Sequence, residues 1–137
     1  MKVCIITLLV LAMVGCDAKQ GRGRLSDAVF SQKLIGVWSA EETNRFGVHF
    51  VSDVTYSTNG SVRWRGSLTE QSGTQRDFDD SGCWRVERGH LITKVTNSTF
   101  RPLLDEPEYR DELVSVTAAE FIYRDDHGAV HTRTKKP

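Results

Sequence analysis

Cys16 is the residue of this chain whose surroundings point most directly to a chemical fate. It stands in LAMVGCDAKQ, where an apolar segment gives way to a polar one, and it could be packed, bridged, metallated or lipidated. Lys2 is the only charge before Asp17, and residues 3–14 are almost entirely apolar. A charged start followed by a short apolar run is typical of a secretory signal. As a helix this run measures about 18 Å, well short of the roughly 30 Å hydrocarbon core, so it directs export without spanning stably.

The four residues that end this segment, Met13-Val14-Gly15-Cys16, resemble the lipobox of bacterial lipoproteins. The resemblance implies that diacylglyceryl is attached to the Cys16 sulfur, that the chain is cut before Cys16 and that the freed amine is acylated. Two or three acyl chains, each worth about 0.8 kcal/mol per buried methylene, would hold the protein on a membrane almost irreversibly. We therefore expect a signal peptide over residues 1–15, a lipidated tether over 16–25 and a folded domain over 26–137.

The same resemblance gives an expected location. A lipidated Cys16 would anchor the protein in the bacterial cell envelope, facing the periplasm. Asp17, directly after the cysteine, resembles the signal that keeps some lipoproteins in the inner membrane. Asp17 therefore favours the inner membrane, with the outer membrane as the alternative, and the expected partner is a small ligand or another envelope protein.

Two groups of side chains have the types of metal ligands without their arrangement. His127 and His131 are four residues apart, a spacing that binds zinc from one face of a helix. A glycine and two aspartates around them predict a turn instead, so we expect solvated turn residues. Asp77, Asp79 and Asp80 could collect calcium, but they lack the spacing and the glycine of a calcium loop. We expect a solvated loop there, and no metal or other cofactor.

A hydrolase would require a nucleophile, a base and an orienting group held together. Ser81, beside Gly82, is the candidate nucleophile, with His49 or His90 as its base. No motif brings these residues together, so the sequence predicts a protein without catalytic activity.

The charge balance argues against a nucleic-acid partner. The chain has 18 basic and 18 acidic residues, and its mature form would lose only Lys2 with the signal peptide. A nearly neutral domain offers no general attraction to phosphates, so we expect no nucleic-acid binding.

Cys83 is expected to be a lone thiol. Of the three cysteines, Cys4 would leave with the signal peptide and Cys16 would be lipidated. A thiol without a partner in an oxidising compartment is most often buried, and Cys83 stands next to Trp84 in a strand-like run. We therefore expect Cys83 to be buried, with pairing to another chain or a reactive thiol as the alternatives.

Beyond the polar tether, the pattern predicts a short helix followed by strands. Ser26 is the expected N-cap of a helix over residues 27–34, with Val29 and Phe30 facing a core. After Gly36, apolar side chains recur at every second residue, which is typical of strands with one buried face. The side chains expected to point inward are those of Trp38, Phe50, Val54, Tyr56, Val62, Trp64 and Leu68.

Turn signals divide this region into about eight short strands. Asn59-Gly60 suits a tight hairpin with positive φ, Arg88-Gly89 joins a second pair, and further turns are expected near Ala118-Ala119 and over 125–128. Eight antiparallel strands with one amphipathic face predict an all-β, up-and-down barrel, which removes exposed edges, with a sandwich as the alternative. The proline-bearing segment 99–112 is expected to cross one end as a loop, which could act as a lid.

Four short motifs in this order resemble the bacterial lipocalin-like families of the calycin group. They are Gly36-Val37-Trp38, TYSTNGSV, GCWRVERGHLI and HTRTK. The resemblance spans about Leu34 to Lys135 and implies a lipocalin-like barrel. It also implies that Arg133 lies across the Trp38 indole and plugs one barrel end, a cation–π contact worth about 0.5 to 2 kcal/mol. The chain is shorter than a typical lipocalin, which argues against a large ligand cavity.

Together these expectations describe a membrane-anchored binding protein. Phe50, Tyr56 and Trp64 are the candidate contacts for a small apolar ligand, because an eight-stranded barrel is just wide enough to hold one. The alternative is a protein-interaction module, either an inhibitor or an envelope assembly factor, that uses the 99–112 segment as its contact surface.

Overall fold

The computed structural model describes residues 25–99 and 108–137, which form one helix and eight antiparallel strands. The helix α1 covers Leu25–Leu34. The strands are β1 Gly36–Thr43, β2 His49–Tyr56, β3 Ser61–Thr69, β4 Gln75–Glu87, β5 His90–Ser98, β6 Glu108–Val116, β7 Glu120–Arg124 and β8 Val130–Lys135. Consecutive strands are hydrogen-bonded and β8 pairs with β1, so the sheet closes into a barrel. The predicted up-and-down barrel is confirmed, and the sandwich is excluded.

Tight turns set the register of the hairpins. Between β2 and β3, Gly60 has a φ of +80° and the Asn59 side chain accepts a hydrogen bond from the Ser61 N–H at 3.0 Å. Between β4 and β5, Arg88 and Gly89 both have positive φ, which matches the twist of the flanking strands. These turns, and the two later ones, lie where the sequence predicted them.

The hydrophobic core fills the end of the barrel that α1 covers. Trp38 is fully buried at its centre, edge-on to Phe121 with ring centroids 4.9 Å apart, and its Nε1 donates to the Leu34 carbonyl at 2.7 Å. Aromatic pairs in this geometry add about 0.5 to 1.5 kcal/mol to the free energy of burial. The other buried members are Leu34, Val54, Tyr56, Val62, Trp84, Leu91, Leu113, Val116 and Phe121. The same end of the barrel therefore holds both the helix and most of the buried aromatic side chains.

Asp27 attaches the helix to a hairpin. Its side chain is buried, and its two carboxylate oxygens accept hydrogen bonds from the backbone N–H groups of Arg88 and Gly89, each at 2.9 Å. Lys33 donates to the Val116 carbonyl at 3.3 Å, at the end of β6. The helix is therefore fixed to the barrel by polar contacts at both of its ends.

Two details of the helix prediction are wrong. The helix begins at Leu25, so Ser26 lies inside it rather than at its N-cap. Val29 is 41% exposed, whereas Phe30 packs against the core. A helix turns about 100° per residue, so burying Asp27 and Leu34 on one face places Val29 on the opposite face.

The acidic run at residues 77–80 was expected to be a solvated loop, and this is wrong. It belongs to β4, which pairs with β3 along its whole first half. Asp79 points outward and accepts hydrogen bonds from Arg63 and Arg65 across the strand pair. Phe78 and Asp80 point inward. Inward and outward side chains alternate along this run, and ion pairs with the neighbouring strand stabilise its outer face. A strand is therefore compatible with this sequence, although its composition alone favours a loop.

The prediction of a loop over residues 99–112 is wrong for the end of this segment. Its last five residues, from Glu108, belong to β6 and pair with β5. Residues 100–107 lie outside the described residues.

The prediction that Cys83 is a lone, buried thiol is wrong. Its side chain is half-buried on β4, and it is disulfide-bonded. The prediction took Cys4 as removed with the signal peptide and Cys16 as lipidated, which leaves no partner for Cys83 within its own chain. Both Cys4 and Cys16 lie outside the described residues, as do the expected signal peptide and nearly all of the tether. Within residues 25–99 and 108–137, no helix is long and apolar enough to cross a membrane.

Candidate functional site

The end of the barrel opposite α1 contains a cavity of about 300 Å³. Small side chains such as Ser52 and Thr93 leave this space, whereas large aromatic side chains fill the other end. Ligand pockets range from about 300 to 1,000 Å³, so the cavity suits a small molecule. Seven of the eight strands contribute to its wall. The lining residues are Glu42, Phe50, Ser52, Trp64, Phe78, Asp80, Thr93, Val95, Tyr109, Asp111 and Arg133.

Of the three predicted ligand contacts, the structure brings two together. Phe50 and Trp64 are half-buried and line the cavity. Tyr56 does not: it is 4% exposed in the core, with its ring 5.1 Å from that of Trp84. Residues 50 and 56 are on the same face of β2, but six residues of strand separate them by about 20 Å. The inward direction was predicted correctly, whereas the position along the barrel was not.

Two further aromatic side chains, Phe78 and Tyr109, line the cavity. Sequence reasoning missed both because it placed them in loops. The signal that could have found them is the alternation itself. Phe78 and Asp80 alternate with outward residues on β4, and Tyr109 and Asp111 do so on β6, in phase with the buried Leu113.

The carboxylates of Asp80 and Asp111 face the cavity, and few hydrogen bonds or positive charges offset the cost of their burial. The Oδ1 atom of Asp80 is buried and has no hydrogen-bond partner among the described residues. Burial raises the pKa of Asp111 to about 6, and the negative charge of Asp125 adds to this, although His131 and Arg133 oppose it. Buried polar atoms of proteins are normally hydrogen-bonded, so Asp80 marks a position where a donor is missing.

Arg133 does not lie over Trp38, so the role that the resemblance implied for it is wrong. The cation over that ring is Lys135, whose Nζ is 4.8 Å from the ring centroid. Trp38 is directly opposite Lys135 in the β1–β8 pair, whereas Arg133 is opposite Phe121 in the β7–β8 pair. Two residues of strand therefore separate Arg133 from the expected position.

Arg133 instead faces the cavity. It is 9% exposed and donates a hydrogen bond to the Ser52 hydroxyl at 3.2 Å, and its positive charge opposes the burial that raises the pKa of Tyr123. A buried guanidinium needs such partners, because desolvation of an unpaired charge is costly.

Gly36, the first residue of the predicted Gly-x-Trp motif, does open β1. Its φ is +128°, and a Cβ there would come within 2.9 Å of the Lys135 side chain. The motif therefore has a structural reason in this chain: glycine leaves room for Lys135 to cross onto Trp38.

His131 lies between two carboxylates at the rim of the cavity end. Its Nδ1 is 2.9 Å from Glu42 Oε2 and its Nε2 is 2.8 Å from Asp125 Oδ2, while its ring stacks on Tyr123 at 5.0 Å. Burial, the largest single influence, lowers the pKa of His131, but the hydrogen bonds with the two acids outweigh it and raise the pKa. The expectation of a solvated turn residue is wrong for His131, which belongs to β8. It holds for the exposed His127.

The structure does not assemble the other candidate sites. Among the described residues, no three His, Cys, Asp or Glu side chains are grouped to hold a metal. His49 begins β2 at the cavity end, and His90 begins β5 beside α1. Ser81 lies midway along β4, and no hydrogen bond within the described residues joins its hydroxyl to either ring.

Comparisons with known proteins add little to this picture. No protein-family model matches the sequence, and no curated protein matches it. One solved structure that it resembles is a de novo designed fluorescence-activating β-barrel, which it matches over 81% of this chain and 98% of the designed one. The sequence identity is 15% and the TM-score is 0.46, so this likeness carries no argument about function.

Proposed function

We propose that this protein is a binding protein without catalytic activity that holds one small molecule in the cavity at the open end of its barrel. The observation that carries the proposal is the cavity itself. One end of the barrel is filled by buried aromatic side chains, while the other keeps about 300 Å³ of space inside the same rigid wall. A partly apolar recess of this size, with a few polar groups in its wall, is the usual form of a site for a small molecule.

The wall of the cavity offers contacts for an apolar body. Phe50, Trp64, Phe78 and Tyr109 come from four different strands and line one space. Aromatic side chains bury large areas with few rotatable bonds, so they bind apolar groups at a low entropic cost. A small ligand with an apolar part therefore fits the site better than a purely polar one.

We also propose that Cys16 is lipidated and anchors the protein in the bacterial envelope, facing the periplasm. The disulfide bond of Cys83 argues against this, because the other two cysteines of the chain are Cys4 and Cys16. The apolar run and the lipobox-like Met13-Val14-Gly15-Cys16 support the anchor. The tether would join the barrel at α1, which covers the closed end. The cavity would then open away from the point of attachment, where a ligand can enter.

A lipocalin-like relationship belongs to the same proposal. The closed eight-stranded meander and the Gly36-Val37-Trp38 motif at its first strand support it. The cation over Trp38 is Lys135, two residues after the expected arginine, which is a departure from the pattern of the family.

Native mass spectrometry of the protein purified from its own envelope tests the binding proposal. We expect a small molecule in stoichiometric amount on the wild-type protein. Thr93→Phe should fill the cavity, so that the bound molecule is lost. Thr132→Phe, the same change on the exposed outer face of β8, should leave the molecule bound. A bare wild-type protein would contradict the proposal, and a stoichiometric protein partner would favour the interaction module instead.

Labelling of living cells with an alkyne fatty acid tests the anchor. We expect label on the wild-type protein and on Cys83→Ser, and no label and release from the membrane for Cys16→Ser. Mass spectrometry without reducing agent would show whether Cys16 carries lipid or takes part in a disulfide. An unlabelled wild-type protein would rule out the anchor while leaving the cavity proposal untouched.

A further inference from the structure

We infer that the cavity binds an organic cation, a small amine with an apolar body, in preference to a neutral or an acidic molecule. This inference rests on the proposed function and specifies the chemical class of its ligand. Three features of the cavity support it: the sign of its charges, an acceptor without a donor, and the aromatic wall.

The charged side chains of the lining are predominantly acidic. Glu42, Asp80 and Asp111 contribute carboxylates, and Arg133 is the one basic residue among the lining residues. Arg133 donates a hydrogen bond to Ser52, and Glu42 is bonded to His131. Neither Asp80 nor Asp111 forms an ion pair among the described residues, although the charges of His131 and Arg133 partly offset that of Asp111.

Asp80 identifies where a donor would bind. Its buried Oδ1 has no hydrogen-bond partner within the described residues. A buried acceptor left unsatisfied costs about 1 to 3 kcal/mol, and more when it is charged. An ammonium group carries donors and no acceptor, so it would pair with the Asp80 carboxylate once this side chain turns toward the cavity, whereas a carboxylate would add a further negative charge beside it.

The aromatic wall favours the same class of ligand. Phe50, Trp64, Phe78 and Tyr109 line the cavity together with the two carboxylates. The faces of aromatic rings attract cations, by about 0.5 to 2 kcal/mol according to their desolvation. An apolar body would pack on these rings while its ammonium group pairs with one of the two carboxylates, that of Asp80 or that of Asp111. A neutral molecule of the same shape would gain only the first of these contributions.

Isothermal titration of the full chain with three matched probes tests the inference. The probes are phenethylamine, phenethyl alcohol and 3-phenylpropanoate, which share an aromatic body and differ in their polar end. At pH 7.5 we expect phenethylamine to bind at least tenfold more tightly than the alcohol, a difference of about 1.4 kcal/mol, and the acid to bind more weakly than either.

Variants locate the origin of the preference. The isosteric double variant Asp80→Asn with Asp111→Asn should reduce the preference for the amine over the alcohol to less than about threefold. Asp77→Asn, on the outer face of the same strand β4, should leave it unchanged. Circular dichroism of each variant checks that the barrel is intact.

The outcomes separate this inference from the proposed function. Equal binding of the amine and the alcohol, or tighter binding of the acid, would overturn the inference and leave a binding cavity in place. A neutral or acidic molecule found on the envelope-purified protein would do the same. If no probe binds and the native spectrum shows no bound mass, both the inference and the proposed function fail.

Discussion

The ammonium group of Lys135 lies over the Trp38 ring at the closed end of the barrel and contacts three parts of the molecule there. Its Nζ lies 4.8 Å from the centroid of the Trp38 ring and donates a hydrogen bond to the Ile35 carbonyl at 2.8 Å. The last β-strand, the first β-strand and the end of α1 therefore meet at one ammonium group. A cation is favoured there because helix C-termini carry partial negative charge.

Lys135→Met should lower the free energy of unfolding by about 1 to 3 kcal/mol, since it removes the cation–π contact and a charged hydrogen bond but keeps the length of the side chain. Urea denaturation measures this. The control is Lys136→Met, which removes an exposed ion pair with Asp53 and should cost less than about 1 kcal/mol. Equal losses in the two variants would contradict the role assigned to Lys135.

The position of this contact shows which part of the fold the sequence could predict. Hairpin turns such as Asn59-Gly60 are local, and so is the alternation of buried residues, so strands and barrel followed from short stretches of sequence. Arg133 and Lys135 both point inward on β8, and only the register between β8 and β1 decides which of them meets Trp38. That register spans the whole chain, and no local pattern encodes it.

The cavity was harder to predict for a different reason. Four of its acidic and aromatic residues, Phe78, Asp80, Tyr109 and Asp111, lie in two segments whose composition is typical of loops, residues 77–80 and 108–112. In the folded protein, ion pairs on the outer face compensate the charges of the first segment, as between Asp79 and Arg63. The composition of a segment gives its polarity, but the residues with which it pairs decide whether a polar segment forms a strand.

Asp27→Ala should destabilise the protein by about 1 to 3 kcal/mol, because it leaves the partly buried N–H groups of Arg88 and Gly89 without their acceptor. Asn44→Ala is the matched control. The Asn44 side chain also accepts two backbone N–H groups, those of Phe46 and Val48, but in an exposed turn where water can replace it. Thermal unfolding should therefore show a much smaller loss for Asn44→Ala, and the reverse order would rule out this function of Asp27.

Trp38 and Trp64 should respond differently to truncation. Trp38→Ala should cost about 3 to 5 kcal/mol, because the side chain is fully buried and bonded to the Leu34 carbonyl. Trp64→Ala should cost less, since Trp64 is half-buried beside the cavity, and it should weaken phenethylamine binding. Denaturation combined with isothermal titration separates the two effects. A Trp64→Ala variant as unstable as Trp38→Ala would show that Trp64 belongs to the core.

Two groups at the cavity end should make stability depend on pH. Burial raises the pKa of Asp111 from 3.8 to about 6. The folded state therefore favours protonated Asp111, and this contribution is present below about pH 4 and is lost as the pH rises through 6. The pKa of His131 is raised above 6.5. Its contribution is present below pH 6.5 and is lost as the pH rises through the folded-state value.

The free energy of unfolding should accordingly fall between about pH 4 and 6, and again above 6.5. Glu42, Asp125, Asp126 and Arg133 are the other charged groups around these two. Asp111→Asn should abolish the first decrease and be more stable than the wild type at pH 7, and His131→Gln should abolish only the second. Urea denaturation across this pH range measures the two decreases in the free energy of unfolding. The control is Asp77→Asn on the outer face of β4, which should show both decreases. If Asp111→Asn retained the decrease between pH 4 and 6, Asp111 would not be the group that causes it.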